Sequence, residues 1–291
     1  DQTRKSDEFK DAEEAYKNAE EAGIKDGTGL PKVDKSNSVY SQKATDEHRL
    51  AAKKIADLMR EITSRVRPGW KNRLKTGQFD VPSYVAQSQR PIRVFKKYNP
   101  GMMRAVDIHV EVLVDQSGSM SYHGNNALKA IQMAHTIKVA CDKIGATCAV
   151  HMFGSDQETL YDPTEKADPS TVPWYSDGGG TEIGPCLWEA VRNCTARKAT
   201  VKLVFILTDG AYTDLQARSQ ELHDVMEAIS KTGARSHLFV LSPYAYTEAQ
   251  VERERQDRFT DTAHAIQHVD SMIEYFRTTL IKDMKKVLKQ A

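Results

Sequence analysis

After Gly101 the chain alternates short, uniformly apolar runs with longer helical patterns, and this alternation restricts the fold more than any other feature. The runs are DIHVEVLVD (107–115), ATCAVHMFG (146–154), VKLVFILTD (201–209), SHLFVLS (236–242) and AIQHV (265–269). Helical patterns lie near 124–143, 182–195, 214–232, 247–257 and 271–289. Strand and helix in turn, with crossovers of this length, imply a mainly parallel sheet with helices on both faces, a doubly wound α/β fold. HVEVLVD and FILTD are too uniformly apolar for strands wetted on one side, so they are expected at the centre of the sheet.

Two of these runs end alike, in an aspartate at the carboxyl end of a strand: Asp115 in VLVDQSGS and Asp209 in FILTDGA. In an open parallel sheet the ligand crevice lies outside those ends, where the strand order switches. A third element lies between them, SDGGGTEIGPCLWEA. Its Gly178, Gly179 and Gly180 permit close backbone approach, and Thr181 follows just before a helix. Five oxygen donors can thus converge: Asp115, Ser117, Ser119, Thr181 and Asp209. Gly178, Gly179, Gly180 and Gly210 support the loops that carry them.

Hydroxyls and carboxylates without His or Cys suit a small, hard divalent cation, Mg²⁺ first and Mn²⁺ second. The set is poor in charge, which leaves positions for water or for a carboxylate from another protein. The glycine run is expected to make the Thr181 loop mobile. The competing reading is that Ser117 and Ser119 cap a helix beginning near His123. His109 and His151 alternate within strands and are expected to be packed or solvated.

The usual catalytic patterns are missing. There is no G-x-S-x-G elbow and no Gly-Lys pair for a phosphate-binding loop. A hydrolase using Asp115 as nucleophile calls for a second acid two residues on, where Ser117 stands. The chain is therefore expected to be non-catalytic.

The front of the chain has a different texture. Ser6 to Ala22 reads as a helix with Phe9 and Tyr16 on an alanine face, and GIKDGTGLPKVDKSNS reads as a linker. From Thr45 to Val66, Ala52, Ile55, Met59, Ile62 and Val66 recur at helical spacing, until Pro68–Gly69. WKNRLKTGQFDVPSYVAQ and IRVFKKYNPG read as short helices or extended pieces anchored by Trp70, Phe79, Tyr84 and Phe95. Three segments follow: a flexible or helical 1–44, a helical and basic extension over 45–104, and an α/β domain over 105–291.

Charge and cysteine usage set further bounds. The net charge of +1 gives no whole-chain attraction to a polyanion. Residues 65–104 nevertheless carry ten Lys/Arg against one acid, Asp80, whereas residues 1–30 carry nine acids against five bases. Cys141, Cys148, Cys186 and Cys194 form no C-x-x-C pair, so reduced buried thiols and a cytoplasmic setting are expected. No run of 18 apolar residues spans a membrane, and DQTRKSDEF has no signal-peptide core.

The D-x-S-x-S stretch Asp115–Ser119, the G-G-T loop ending at Thr181 and the T-D-G turn at Asp209 together resemble a von Willebrand factor A (VWA) domain over roughly 105–290. The resemblance implies a metal-ion-dependent adhesion site, with Asp115, Ser117, Ser119 and Thr181 near the ion and Asp209 closing its shell. The flank PGWKNRLKTGQFDVPSYV, then IRVFKKYNPG, is similar to the VWA subunit of CobT-type cobaltochelatases. Related VWA proteins accompany MoxR-type AAA+ ATPases. That family usually carries a long acid-rich stretch before the VWA domain, and the front here is short and mixed.

The resemblance implies an interaction subunit for a AAA+ ATPase, with a partner acid completing the metal site and with homo-oligomer or ring assembly open. Two other expectations stand beside it. One is a structural or assembly role in a phage or large particle. The other is nucleic-acid association through the basic stretch.

Overall fold

The computed structural model describes residues 29–33, 41–63, 69–74, 76, 78–86, 94–99, 107–122, 126–173, 179–210, 212–241 and 246–281. The expected helix at 6–22, Gly178 and His123 lie outside them. Two compact units are present, one of residues 1–58 and 107–291 and one of residues 59–106.

The first unit opens with strand β1 (Ser41–Lys43) and helix α1 (Asp46–Thr63), which runs past the boundary between the units. Ala52 and Ile55 are buried at the expected helical spacing. Thr45 Oγ1 and His48 Nδ1 stand 2.6 Å apart across the start of the helix.

The second unit contains an antiparallel sheet in the order β2 (Gly69–Leu74), β4 (Phe95–Asn99), β3 (Gln78–Phe79). The short helix α2 (Val81–Ala86) lies between β3 and β4 in the chain. Beyond α1, the pieces expected as short helices or extended segments are three short strands and the short helix α2. Segments of two to six residues with aromatics among lysines close hydrogen bonds with neighbours more readily than they nucleate a helix. Phe79 and Tyr84 are not buried anchors: they are 47% and 45% exposed, with their rings 5.4 Å apart. Asp80, the only acid of 65–104, is buried, accepts from Ser83 Oγ at 2.5 Å and pairs with Lys96 at 3.6 Å.

The rest of the first unit is a six-stranded sheet in the order β11-β10-β9-β5-β6-β7. Its strands are β5 (Ile108–Asp115), β6 (Thr147–Phe153), β7 (Gln157–Tyr161), β9 (Val201–Thr208), β10 (Ala234–Leu241) and β11 (Thr262–Ile266). All neighbours pair in parallel except β6 and β7. The doubly wound α/β class read from the sequence is therefore the observed one. Strand β8 (Thr171–Pro173) pairs with β1, outside the main sheet. Further upstream, Pro31 and Val33 bond through their backbones to Thr159 of β7.

The helices are α3 (Gly118–Tyr122), α4 (Asn126–Ile144), α5 (Gly184–Ala196), α6 (Gln220–Lys231), α7 (Glu248–Asp257) and α8 (Val269–Tyr275). Leu113, Val204 and Ile206 point from β5 and β9 into one core with Leu187, Ala190 and Val191 of α5 and with Leu222, Val225 and Ile229 of α6. On the alternate positions Phe205 stacks on Phe239 at 5.5 Å and meets Phe276 at 5.6 Å. Helix α4 is buried nearly all round. Even Lys138 is enclosed, and its ammonium donates to Asp142 at 2.8 Å and to the Glu165 carbonyl. Gly145 and Gly233, at φ of 76° and 78°, end α4 and α6 where a left-handed residue is needed. The four cysteines are buried and form no disulfide. No helix among the described residues is long and apolar enough to cross a membrane.

Under α5 the central strand carries charge. Glu111 is fully buried and bridges two buried histidines, His109 Nε2 at 2.7 Å and His151 Nε2 at 2.9 Å. His151 Nδ1 lies 3.0 Å from Thr159 Oγ1, and His109 Nδ1 lies 2.8 Å from Thr147 Oγ1. The two imidazoles are thus packed against the carboxylate within the core. Burial opposes ionisation of Glu111, but the bonds from His109 and His151 outweigh it and hold the carboxyl below its usual range.

Removing one member of such a buried set strands the others. Glu111→Ala should lower stability by about 3–5 kcal/mol in urea unfolding. Replacing His109, Glu111 and His151 together by leucine should be far less damaging than that single change, because no charge is left stranded.

Candidate metal centre

The strand order reverses at β5. The chain passes from β5 to β6 on one side, then returns to add β9, β10 and β11 on the other. At such a switch point neighbouring connections leave in opposite directions, which in open α/β sheets places the ligand crevice outside the carboxyl ends, here those of β5 and β9. Asp115 is the last residue of β5, and Asp209 directly follows β9.

Strand pleating decides which way Asp115 faces. Glu111, Leu113 and Asp115 share one face of β5, and Val204, Ile206 and Thr208 share the same face of β9. Thr208 Oγ1 accordingly donates to Asp115 Oδ2 at 2.6 Å. The other oxygen, Oδ1, accepts from the Ser117 amide at 2.9 Å, which turns the chain sharply after the strand. Ser117 and Ser119 then come 3.0 Å apart through their hydroxyls, and Ser119 Oγ donates to Asp209 Oδ1 at 2.9 Å. Four of the five expected donors, Asp115, Ser117, Ser119 and Asp209, therefore form one connected set. Ser119 is its exposed end, while Asp115 and Ser117 are buried.

Thr181, the fifth, joins through its backbone. Gly118 N–H donates to the Gly179 carbonyl at 3.0 Å, which ties the serine turn to the Thr181 loop. Thr181 N–H donates to Thr213 Oγ1 at 3.1 Å, and Thr213 N–H returns a bond to the Thr181 carbonyl at 2.8 Å. The described part of the loop is further tied to its surroundings. Gly180 N–H donates to Ser155 Oγ at 2.7 Å and Glu182 N–H to the Gly154 carbonyl at 2.9 Å.

Glycine serves approach here. A Cβ on Gly179 stands 1.9 Å from Ser155 Oγ, which no packing tolerates. Gly210 differs: an added Cβ meets nothing within 4 Å, and its support is the amide it donates to Thr208 Oγ1 at 3.2 Å. Ser155, Thr208, Thr213 and Asp214 were not singled out in the sequence. Only Thr208 carried a signal there, as the polar residue ending an apolar strand.

Helix capping does not account for the two serines. Ser117 and Ser119 spend their hydroxyls on each other and on Asp209, across 90 residues of chain. The electrostatics point the same way. Burial pushes the Asp115 carboxyl up to about 6, against the bonds from Ser117 and Thr208, and the nearby Asp209 adds to the rise. Above that pH the buried Asp115 anion faces a second carboxylate, Asp209. Two carboxylates and hydroxyl oxygens are hard donors, a set chemically suited to a divalent cation; hydrogen bonds join Asp115, Ser117, Ser119 and Asp209, while Thr181 is tied in through its backbone.

Fold and site together define a doubly wound α/β domain with an oxygen-donor cluster at its switch point. No protein-family model matches the sequence, and no curated protein matches it either. Among solved structures the chain is similar to a von Willebrand factor type A protein from Catenulispora acidiphila, at 17% identity and a TM-score of 0.42, over 75% of this chain and 50% of that one. It is similar to proximal thread matrix protein 1 from the mussel byssus, at 17% identity and a TM-score of 0.44, over 62% of this chain and 48% of that one. A third is the manganese-loaded TRAP protein of Plasmodium vivax, at 15% identity and a TM-score of 0.41, over 60% of this chain and 74% of that one. The chain spans about half the length of the first two.

Asp115 also governs how the metal-free protein responds to pH. Its folded value of about 6 exceeds the ordinary 3.8, so the native state binds the proton more tightly than the unfolded chain does. The resulting loss of stability is absent below about pH 4, grows as pH rises, and is complete above about pH 6, where it amounts to about 3 kcal/mol. Asp115→Asn in EDTA should therefore melt several degrees above the parent at pH 8 and level with it at pH 4 by scanning calorimetry.

Proposed function

We propose that this chain is a metal-dependent protein-interaction module of the VWA type, with no catalytic chemistry of its own. The observation that carries the reading is the connected donor set from Asp115 through Ser117 and Ser119 to Asp209, at the one place where a sheet of this order opens a crevice. A bound Mg²⁺ or Mn²⁺ supplies a Lewis-acidic position for an incoming carboxylate. The protein's own part is to hold that position at the sheet rim. Thr208 and the Ser117 amide orient Asp115, and Ser119, the exposed member of the set, marks its outer side.

The finer reading is an adaptor for a AAA+ ATPase of the MoxR or cobaltochelatase class, with a Glu or Asp of the partner completing the ion's shell. The similarity of 68–101 to cobaltochelatase VWA subunits supports it, as does the lack of a phosphate-binding loop in the chain. A partner with that loop supplies the ATP chemistry that this chain does not.

Calorimetry should register Mn²⁺ binding to the parent and none to Asp115→Ala. Co-purification with a MoxR-class ATPase should need both the ion and the partner's acid, so EDTA should abolish it. Retention of the partner in EDTA sinks the adhesion-site reading and turns attention to the basic stretch 65–104.

A further inference from the structure

Five successive amides leave the Thr181 loop for acceptors outside it. Gly180 donates to Ser155 Oγ at 2.7 Å, Thr181 to Thr213 Oγ1 at 3.1 Å and Glu182 to the Gly154 carbonyl at 2.9 Å. Ile183 and Gly184 donate to the two oxygens of one carboxylate, Asp214 Oδ1 at 3.0 Å and Asp214 Oδ2 at 2.6 Å. An ordinary loop before a helix leaves several of these amides to water. Here the residue at the helix start, Ile183, has no capping side chain, and an aspartate 31 positions away does the work.

The acceptors come from only two places. Ser155 and Gly154 follow β6. Thr213 and Asp214 lie in the turn that begins with Asp209. The packing excludes larger residues on both sides of Thr181. A Cβ on Gly179 meets Ser155 Oγ at 1.9 Å, and one on Gly184 meets Asp214 Oδ2 at 2.8 Å. The Asp209 turn and the Thr181 loop are thus bonded to each other, and the Gly118–Gly179 bond joins the serine turn to both.

We propose that Ser155 and Asp214 are positioning residues of the ion site, which act by holding Thr181 in place before any ion arrives. The inference rests on the metal-dependent reading above. Ser155 fixes the loop just before Thr181, and Asp214 fixes it just after. Neither needs to touch the ion. Asp214 has its two oxygens on the amides of Ile183 and Gly184, so its charge serves the loop and the helix terminus. The three donor-bearing segments therefore form one rigid frame. Binding the ion does not require Thr181 to travel.

The test is Mn²⁺ titration by calorimetry on the full chain. Ser155→Ala and Asp214→Ala should each weaken Mn²⁺ binding about 10- to 100-fold, the usual effect of removing a group that orients a ligand. Asp214→Asn keeps one acceptor and should fall between parent and alanine variant. It also serves if Asp214→Ala fails to fold, as checked by circular dichroism.

The decisive readout is a double-mutant cycle. In a Thr181→Ala background, Ser155→Ala should cause no further loss, because the residue it positions is gone. Losses that simply add to that of Thr181→Ala overturn the proposal, as does parent-like affinity in both alanine variants. Failure of the underlying reading looks different: the parent itself then binds no Mn²⁺, or Asp115→Ala binds as well as the parent.

Discussion

Thr208 reaches from the end of β9 to the carboxylate that ends β5, and the arrangement of the site follows from where that bond falls. The two strands pair in parallel with Val114 opposite Leu207. Thr208 and Asp115 can meet only in this register and on this face. A slip of one residue would turn Thr208 to the other side of the sheet and swing Leu207 under α5. The same bond leaves Asp115 with one oxygen for the Ser117 amide, which bends the chain so that both serines stand over the crevice. Asp209, next after Thr208, is then delivered to Ser119. A single cross-strand contact therefore aligns the parts contributed by two separate loops.

The face of β5 that carries Asp115 is unusual for a central strand, because Glu111 and His109 lie on it too. A buried polar triad of this kind contributes little net stability over apolar packing. It does discriminate between registers, since His109 needs Thr147, His151 needs Thr159, and both need Glu111. Aliphatic strands slide past one another at small cost, whereas these polar pairs are satisfied in one alignment. The charged cluster and the Thr208–Asp115 bond thus select the same pairing of the central strands.

The central architecture was legible because uniformly apolar runs and aspartate endings report directly on burial and on where the strands stop. The donor residues were legible for the same reason: Asp115 and Asp209 sit where the pattern breaks. Other features depend on contacts between distant segments, which local patterning does not encode. Strand β7 was missed because QETLY has a mixed face and pairs antiparallel at the sheet's end. The anchoring of the Thr181 loop was not legible because the groups that its amides bind, Ser155, Thr213 and Asp214, lie 25 to 32 positions away. AIQHV was placed a few residues late, since β11 begins at Thr262 and takes its register from β10. The sheet of the second unit went unread because strands of two to six residues give no periodicity to count.

The contact of Pro31 and Val33 with Thr159 bears on where the α/β domain may be cut. Strand β7 is the last in its sheet, and its outward N–H and C=O groups would otherwise form an open template for another chain. The upstream residues bond both the amide and the carbonyl of Thr159 and so blunt that border. β1 likewise pairs with β8 from the same upstream stretch. A fragment trimmed to the apolar alternation after residue 105 would keep every donor of the candidate site and still be prone to self-association through β7. The portion of chain that assembles the site is shorter than the portion that covers the free edge of β7.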